Sequence, residues 1–236
     1  MLEQGILLSD FERQALVRDL QSEFRLIRKL SETKDHLAGQ ETYGGHFNRY
    51  TDLKPFKHTR VRLQQRGADI SDSYINANYI NSAVKANDQV FIATQGPLPT
   101  TRENFWRMIV QENVPLILNL TKVKENGKVR CDTYWPSEVG ESISFVEAEQ
   151  NIQITLISCE SLMKNLIKRK LQIYNTDEDR EIMEVVQINY LSWPDHGAPE
   201  PSDYQIIGRL QDIIEEFKKV QVPNTSPKSQ GGGRQK

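Results

Sequence analysis

Cysteine is nearly absent from this chain of 236 residues, which holds only Cys131 and Cys159. Two thiols cannot build a disulfide framework or a cysteine-rich zinc site, and the four histidines are scattered without ligand spacing. Free thiols, no metal and no cofactor are the resulting expectations. Long apolar runs are missing too: none approaches the ~20 residues that cross a bilayer. The first residues, MLEQGILLSDFERQ, lack a basic stretch followed by an apolar one. No membrane insertion is expected, and the expected location is cytoplasmic or nuclear. Nor is there an excess of one charge. Thirty lysines and arginines stand against 32 aspartates and glutamates, a formal net charge of -2, which gives no global attraction to nucleic acid. Two glycosylation-like triplets, at Asn119 and Asn224, read as chance where no secretory signal accompanies them. Internal repeats are also lacking.

What is present fits one large domain with a sizeable core. Hydrophobic residues make up 37% and charged residues 26% of the chain, a balance typical of soluble globular proteins. Ser9-Asp-Phe-Glu12 has capping-box spacing, and Val17, Leu20, Phe24 and Ile27 recur at helical intervals, which predicts an amphipathic helix over residues 9–30. A short strand is predicted from Val90, then a helix capped at Thr100 and running to about Asn113. Residues 114–120, VPLILNL, form a near-continuous apolar run, as a strand covered on both faces requires, and imply a parallel pairing.

Further runs at residues 143–145, 152–157, 167–174 and 182–190 predict adjoining antiparallel strands, with the acidic TDEDRE as a hairpin tip. Ser202-Asp-Tyr-Gln205 has capping-box spacing before a helix ending near Val220, whose apolar face includes Ile206, Leu210, Ile213 and Phe217. Residues 221–236 carry no acidic residue and little that could enter a core, and read as a flexible basic tail. The fold class expected is α/β or, better, α+β, with a large, mixed and highly twisted β-sheet flanked by helices.

Five motifs then stand in one order: HFNRYTDLKPFKHTRVRL from His46, SYINANYI from Ser73, FIATQGPLPTTRENFWRMI from Phe91, CDTYWP from Cys131 and WPDHGAP from Trp193. In that order and register they resemble the non-receptor protein-tyrosine phosphatases, over residues 9–220. The resemblance implies hydrolysis of phosphotyrosine in proteins through a cysteinyl-phosphate intermediate. It makes Asp195 the general acid that protonates the leaving phenolate, on a mobile flap with Trp193, Pro194, His196 and Gly197. It makes Tyr50 the aromatic wall beside the substrate ring and Asp52 the carboxylate that holds the substrate backbone. SYINANYI and TQGPLP become scaffold, and Lys57 stands where the family usually has an acidic residue. The implied partners are phosphotyrosine-containing proteins.

The nucleophile motif of that family, His-Cys followed by five residues and Arg, does not occur in these 236 residues. Gly231, Gly233 and Arg234 can be aligned with its glycines and arginine, but that sets Lys228 at the thiol position and Pro227 at the histidine. A protonated lysine is a poor nucleophile, and VPNTSP lacks the apolar strand that would orient a phosphate loop. The agreement reads as coincidence. Cys131 precedes Asp132 and Cys159 precedes Glu160, an adjacent carboxylate being unfavourable to a thiolate nucleophile, and neither has an arginine six residues on. Both are expected to be structural. The expectation is therefore an incomplete tyrosine-phosphatase domain over residues 1–220 lacking the C-terminal part of the fold, a truncated form that is inactive by itself and exposes apolar surface. The alternative is a non-catalytic interaction or regulatory product.

Overall fold

The computed structural model describes residues 19–32, 46–81, 89–145, 151–194 and 197–221. It is an α+β protein with a mixed, twisted sheet and few helices. The first element is the helix α1, Leu20–Glu32. Asp19 precedes it in non-helical conformation, and its carboxylate accepts from the Ser22 backbone N–H at 3.1 Å, as an N-cap does. Within the described residues the helix predicted over residues 9–30 starts at Leu20 and runs on to Glu32, while its earlier part, with the Ser9 capping box, lies outside the described residues.

Strands β1 (Arg60–Arg62), β2 (Tyr74–Asn81) and β3 (Gln89–Thr94) form an antiparallel sheet in that order. The helix α2, Arg102–Gln111, follows a turn at Pro99–Thr101. Its N-terminus falls one residue later than the predicted cap. Thr101 accepts from the Leu98 N–H at 2.9 Å, whereas the Thr100 hydroxyl donates to the distant His46 carbonyl.

Strand β4, Leu116–Asn119, enters a second sheet, and β5 (Lys124–Glu125) and β6 (Lys128–Val129) make a small hairpin. Asn126 and Gly127, both at positive φ, form its two-residue turn, a pairing that Asn-Gly favours strongly. Then come β7 (Ser142–Phe145), β8 (Ile152–Met163), β9 (Leu166–Asn175) and β10 (Arg180–Tyr190). The sheet order is β4-β10-β9-β8-β7. Its β7 to β10 run is an antiparallel meander, and β4 lies parallel to β10 with Leu116 opposite Val186. The parallel pairing predicted from the VPLILNL run is present.

Strand β8 extends well past the predicted Ile157, because SCESLM pairs through its backbone with the first half of β9 although Ser158, Glu160 and Ser161 break the apolar pattern. The TDEDRE tip is a hairpin turn in which the Asn175 amide oxygen accepts from the N–H groups of Asp177 and Glu178. The last element is α3, Tyr204–Gln221, entered through a turn at Pro201–Asp203.

Alternation along the strands decides which helix lies on which face. Val185 of β10, Ile117 of β4, Leu171 and Ile173 of β9, and Ile154 and Leu156 of β8 pack with Phe105, Trp106, Met108 and Ile109 of α2. The neighbouring residues Ile188 and Tyr190, with Leu116, Leu118 and Leu166, pack with Ile206, Leu210 and Ile213 of α3. Helix α2 covers one face and α3 the other, so both sides of β4 and of the second half of β10 are covered, and the polar Gln187 and Asn189 buried in β10 are hydrogen-bonded to Tyr134 and to the Asn119 carbonyl.

Candidate functional site

Tyr50 and Asp52 lie in the segment 46–56, which has no helix or extended strand of its own. Its shape is fixed by side chains reaching in from other motifs. Gln95, just past β3, bridges the segment at two points. Its amide oxygen accepts from the Arg49 N–H at 2.9 Å, and its nitrogen donates to the Phe47 carbonyl at 2.9 Å. The Asn48 amide oxygen accepts from the Tyr74 hydroxyl at 2.6 Å and from Asn76 Nδ2 at 2.9 Å. Asn76 Nδ2 also donates to the Leu53 carbonyl, and Asn78 Nδ2 donates to the Phe56 carbonyl and Thr59 Oγ1. The asparagines of SYINANYI and the glutamine of TQGP thus hold the segment by neutral hydrogen bonds, the scaffold role read for them. Lys57 is exposed on the turn that Asn78 holds.

Arg49 is a residue the sequence reading missed. Its guanidinium donates to the carbonyls of Gly96 at 3.0 Å, Pro97 at 2.6 Å and Val129 at 3.1 Å, so one side chain ties the segment to the loop after β3 and to β6. Nothing in HFNRYTDL sets this arginine apart from a solvated one; its partners are 46 to 80 residues away in the chain. The next residue, Tyr50, is 39% exposed, and its hydroxyl accepts from Arg130 Nη1 at 3.2 Å. Asp52 is exposed on the same rim. An open phenol ring and an open carboxylate on a fixed loop can serve as a wall and an acceptor for an extended peptide.

Beneath this loop Gly96 passes so close to its neighbours that an added Cβ would sit 2.9 Å from the Arg130 carbonyl oxygen and 3.2 Å from Cys131 Sγ. Cys131 is buried, and burial pushes its thiol up to about 11, with Arg49 pulling it down and Asp132 adding to the rise. It is a neutral thiol at physiological pH and packs as a small apolar group. Cys159 differs from the structural role expected of it: it is exposed, in the middle of β8, between the buried Leu156 and the half-buried Leu162.

The flap residues stand on other elements, at the exit of β10. The Leu191 N–H donates to the Asn165 carbonyl at 2.8 Å, and the Tyr190 hydroxyl donates to Asp203 Oδ2 at 2.8 Å, clamping the start of α3 to the end of the strand. Trp193 is half-buried against the α3 side of the sheet, its ring edge-on to Tyr190 at a centroid distance of 6.2 Å. Pro194 is half-buried, and Gly197 is exposed with φ near +99°, a left-handed conformation that favours glycine. Asp195 and His196 lie outside the described residues. The site residues thus form two groups, Tyr50 and Asp52 on the pinned segment and Trp193, Pro194 and Gly197 at the strand exit. Among the described residues no group of three or more His, Cys, Asp or Glu side chains could hold a metal ion. No helix among them is long and apolar enough to cross a membrane.

A family model described as Protein-tyrosine phosphatase matches residues 45–235, and the chain belongs to that family. Among individual proteins, Tyrosine-protein phosphatase non-receptor type 20 of Rattus norvegicus is 32% identical over 191 residues, covering 80% of this chain and 42% of that protein. Tyrosine-protein phosphatase 1 of Dictyostelium discoideum is 32% identical over 190 residues, covering 78% of this chain and 35% of that protein. The chain therefore spans less than half the length of these curated relatives. A solved structure, PTPN18 in complex with HER2-pY1196 phosphor-peptides, superposes with a TM-score of 0.71 at 29% identity over 95% of this chain and 71% of that one.

Proposed function

We propose that this chain carries the substrate-recognition and proton-donor parts of a non-receptor tyrosine phosphatase acting on phosphotyrosine in cytoplasmic proteins. Tyr50 stacks beside the substrate ring, Asp52 holds the substrate backbone, and Asp195 protonates the leaving phenolate, with Trp193 and Pro194 bracing the flap and His196 and Gly197 completing it. In the complete reaction a thiolate sulfur attacks phosphorus, the phenolate leaves with the proton from Asp195, and water then cleaves the cysteinyl phosphate. The pinned segment that leaves Tyr50 and Asp52 open is the observation that most supports this reading. The phosphopeptide complex of the related PTPN18 structure supports the substrate class.

These 236 residues contain no His-Cys-x5-Arg sequence, and the buried, neutral Cys131 is no substitute for it. By itself the chain is therefore inactive, the 1–220 portion being an incomplete phosphatase domain and residues 221–236 a basic tail. Without the backbone N–H cradle and arginine fork of that motif, tight phosphotyrosine binding is not expected either. The same absence favours a second reading, in which the chain acts as a non-catalytic interaction or regulatory protein. Phosphate release from a phosphotyrosyl peptide, measured with the purified chain and with Asp195→Ala, tests both. The expected result is no turnover above buffer for either; turnover that Asp195→Ala abolishes would overturn the assignment of inactivity.

A further inference from the structure

A cavity of about 400 Å³ lies along α2 and shares no residue with the two groups described above. Glu103, Arg107 and Val110 recur on one stripe of the helix, so this wall passes from charged to apolar over ~10 Å. Phe145 of β7 and Ile152 of β8, directly opposed across the strand pair, add to the apolar lining. At the charged end Arg66 joins Glu103 in an ion pair at 2.6 Å. The walls are fixed from behind. Gln111 accepts from the Gln64 N–H and donates to the Arg62 carbonyl, Arg107 donates to the Gln64 carbonyl, and Asp72 holds both arginines. Among the described residues the ion pair is not saturated. Glu103 uses Oε1 alone, Arg66 spends one N–H of each terminal nitrogen, and the buried Arg66 Nε has no partner.

We propose that this cavity binds a free α-amino acid with an aromatic or branched apolar side chain. Charge decides the class of ligand. Arg66 and Arg107 are balanced by Asp72 and Glu103, so the site has no net charge to offer a ligand of one sign. A simple carboxylate would meet Glu103, and a simple amine would meet Arg66. An amino acid carries both signs on one carbon. Its carboxylate accepts from the open N–H bonds of Arg66 while its ammonium donates to Glu103 Oε2, so its charges lie antiparallel to those of the ion pair. The side chain then reaches Val110, Phe145 and Ile152, where burial of carbon supplies the remaining attraction. A peptide terminus carries only one of the two charges, and glycine has nothing to place at the apolar end. The volume falls in the range of small-ligand sites, and walls pinned before the ligand arrives lower the cost of ordering it.

The test is a titration of the 236-residue protein, methyl-labelled at valine and isoleucine, with L-phenylalanine, followed by NMR. Saturable shifts of the Val110 and Ile152 methyl groups are the expected result, with a Kd of about 1 mM for a ligand of this size. Ile206 and Ile213, which pack on the α3 side, should stay still. Phenethylamine lacks the carboxylate, 3-phenylpropanoate the ammonium and glycine the side chain; each should bind about tenfold more weakly or worse. Glu103→Gln should weaken L-phenylalanine by about tenfold while leaving 3-phenylpropanoate no weaker than before. Val110→Phe fills the apolar end and should abolish binding with the ion pair intact. Absence of saturation, any of the three analogues binding within that tenfold margin, or equal movement of Ile206 would overturn the proposal. So would L-phenylalanine binding that is unchanged in Glu103→Gln or in Val110→Phe. The ligand series is read on the unaltered chain, so it decides the matter even where a variant fails to fold.

Discussion

Asp72 is held more firmly than any other carboxylate described in this fold. It accepts from the Arg66 N–H, from Arg66 Nη2 and from both terminal nitrogens of Arg107, and Arg66 also pairs with Glu103. Burial raises its pKa, but the hydrogen bonds from Arg66 and Arg107 outweigh that and bring it down to about 2 from an ordinary 3.8. A lowered folded pKa stabilises the protein fully above the unfolded value, and the contribution is lost as pH falls from 3.8 towards 2. Urea midpoints should therefore be flat above this window and fall within it. Asp72→Asn should be less stable near neutrality and lose part of that acid dependence. An unchanged acid limb in Asp72→Asn would show that other carboxylates control it. None of this was legible in the sequence, since Arg66, Asp72, Glu103 and Arg107 are ordinary charged residues until three separate elements bring them together.

At the scale of elements, the recognition segment depends on others for its shape. Gln95→Ala removes the bridge to Phe47 and Arg49 and should cost about 1–2 kcal/mol, because two backbone groups lose their partner. The exchange of the Arg49 amide should rise with it, while amides in β9 and β10 are unaffected. Exchange unchanged at residues 47–50 would mean that Asn76 and Arg49 hold the segment without it. The family resemblance marked SYINANYI as scaffold, but the atoms that its asparagines satisfy are set by long-range packing. Thr100 and Thr101 show the limit most clearly. Both have the chemistry of a helix cap, yet the Thr100 hydroxyl donates to the His46 carbonyl and the Thr101 hydroxyl accepts from Leu98 in the preceding turn, so neither side chain caps α2. The polar half of β8 escaped notice because its pairing is carried by the backbone, and the Asn126-Gly127 hairpin because its two-residue strands are too short to show periodicity.

For the whole molecule, alternation and apolar runs predicted the meander, its hairpin tip and the parallel β4 well, since burial on one face or two is written directly into strand sequence. Division of the strands into two sheets is not written there, because no strand records in its own residues which neighbour it lacks. The parallel pairing has a further consequence. Leu116 waits for Val186, so the whole β7 to β10 meander must emerge before β4 finds its neighbour. Such separated pairings close slowly and leave apolar segments unprotected in the interval. Refolding from urea, followed by tryptophan fluorescence, to which the buried Trp106 and Trp135 contribute, should be slow and lose yield as protein concentration rises. Fast recovery independent of concentration would contradict this. On a ribosome, the order of synthesis would turn that interval into a period in which the newborn chain has most need of a chaperone.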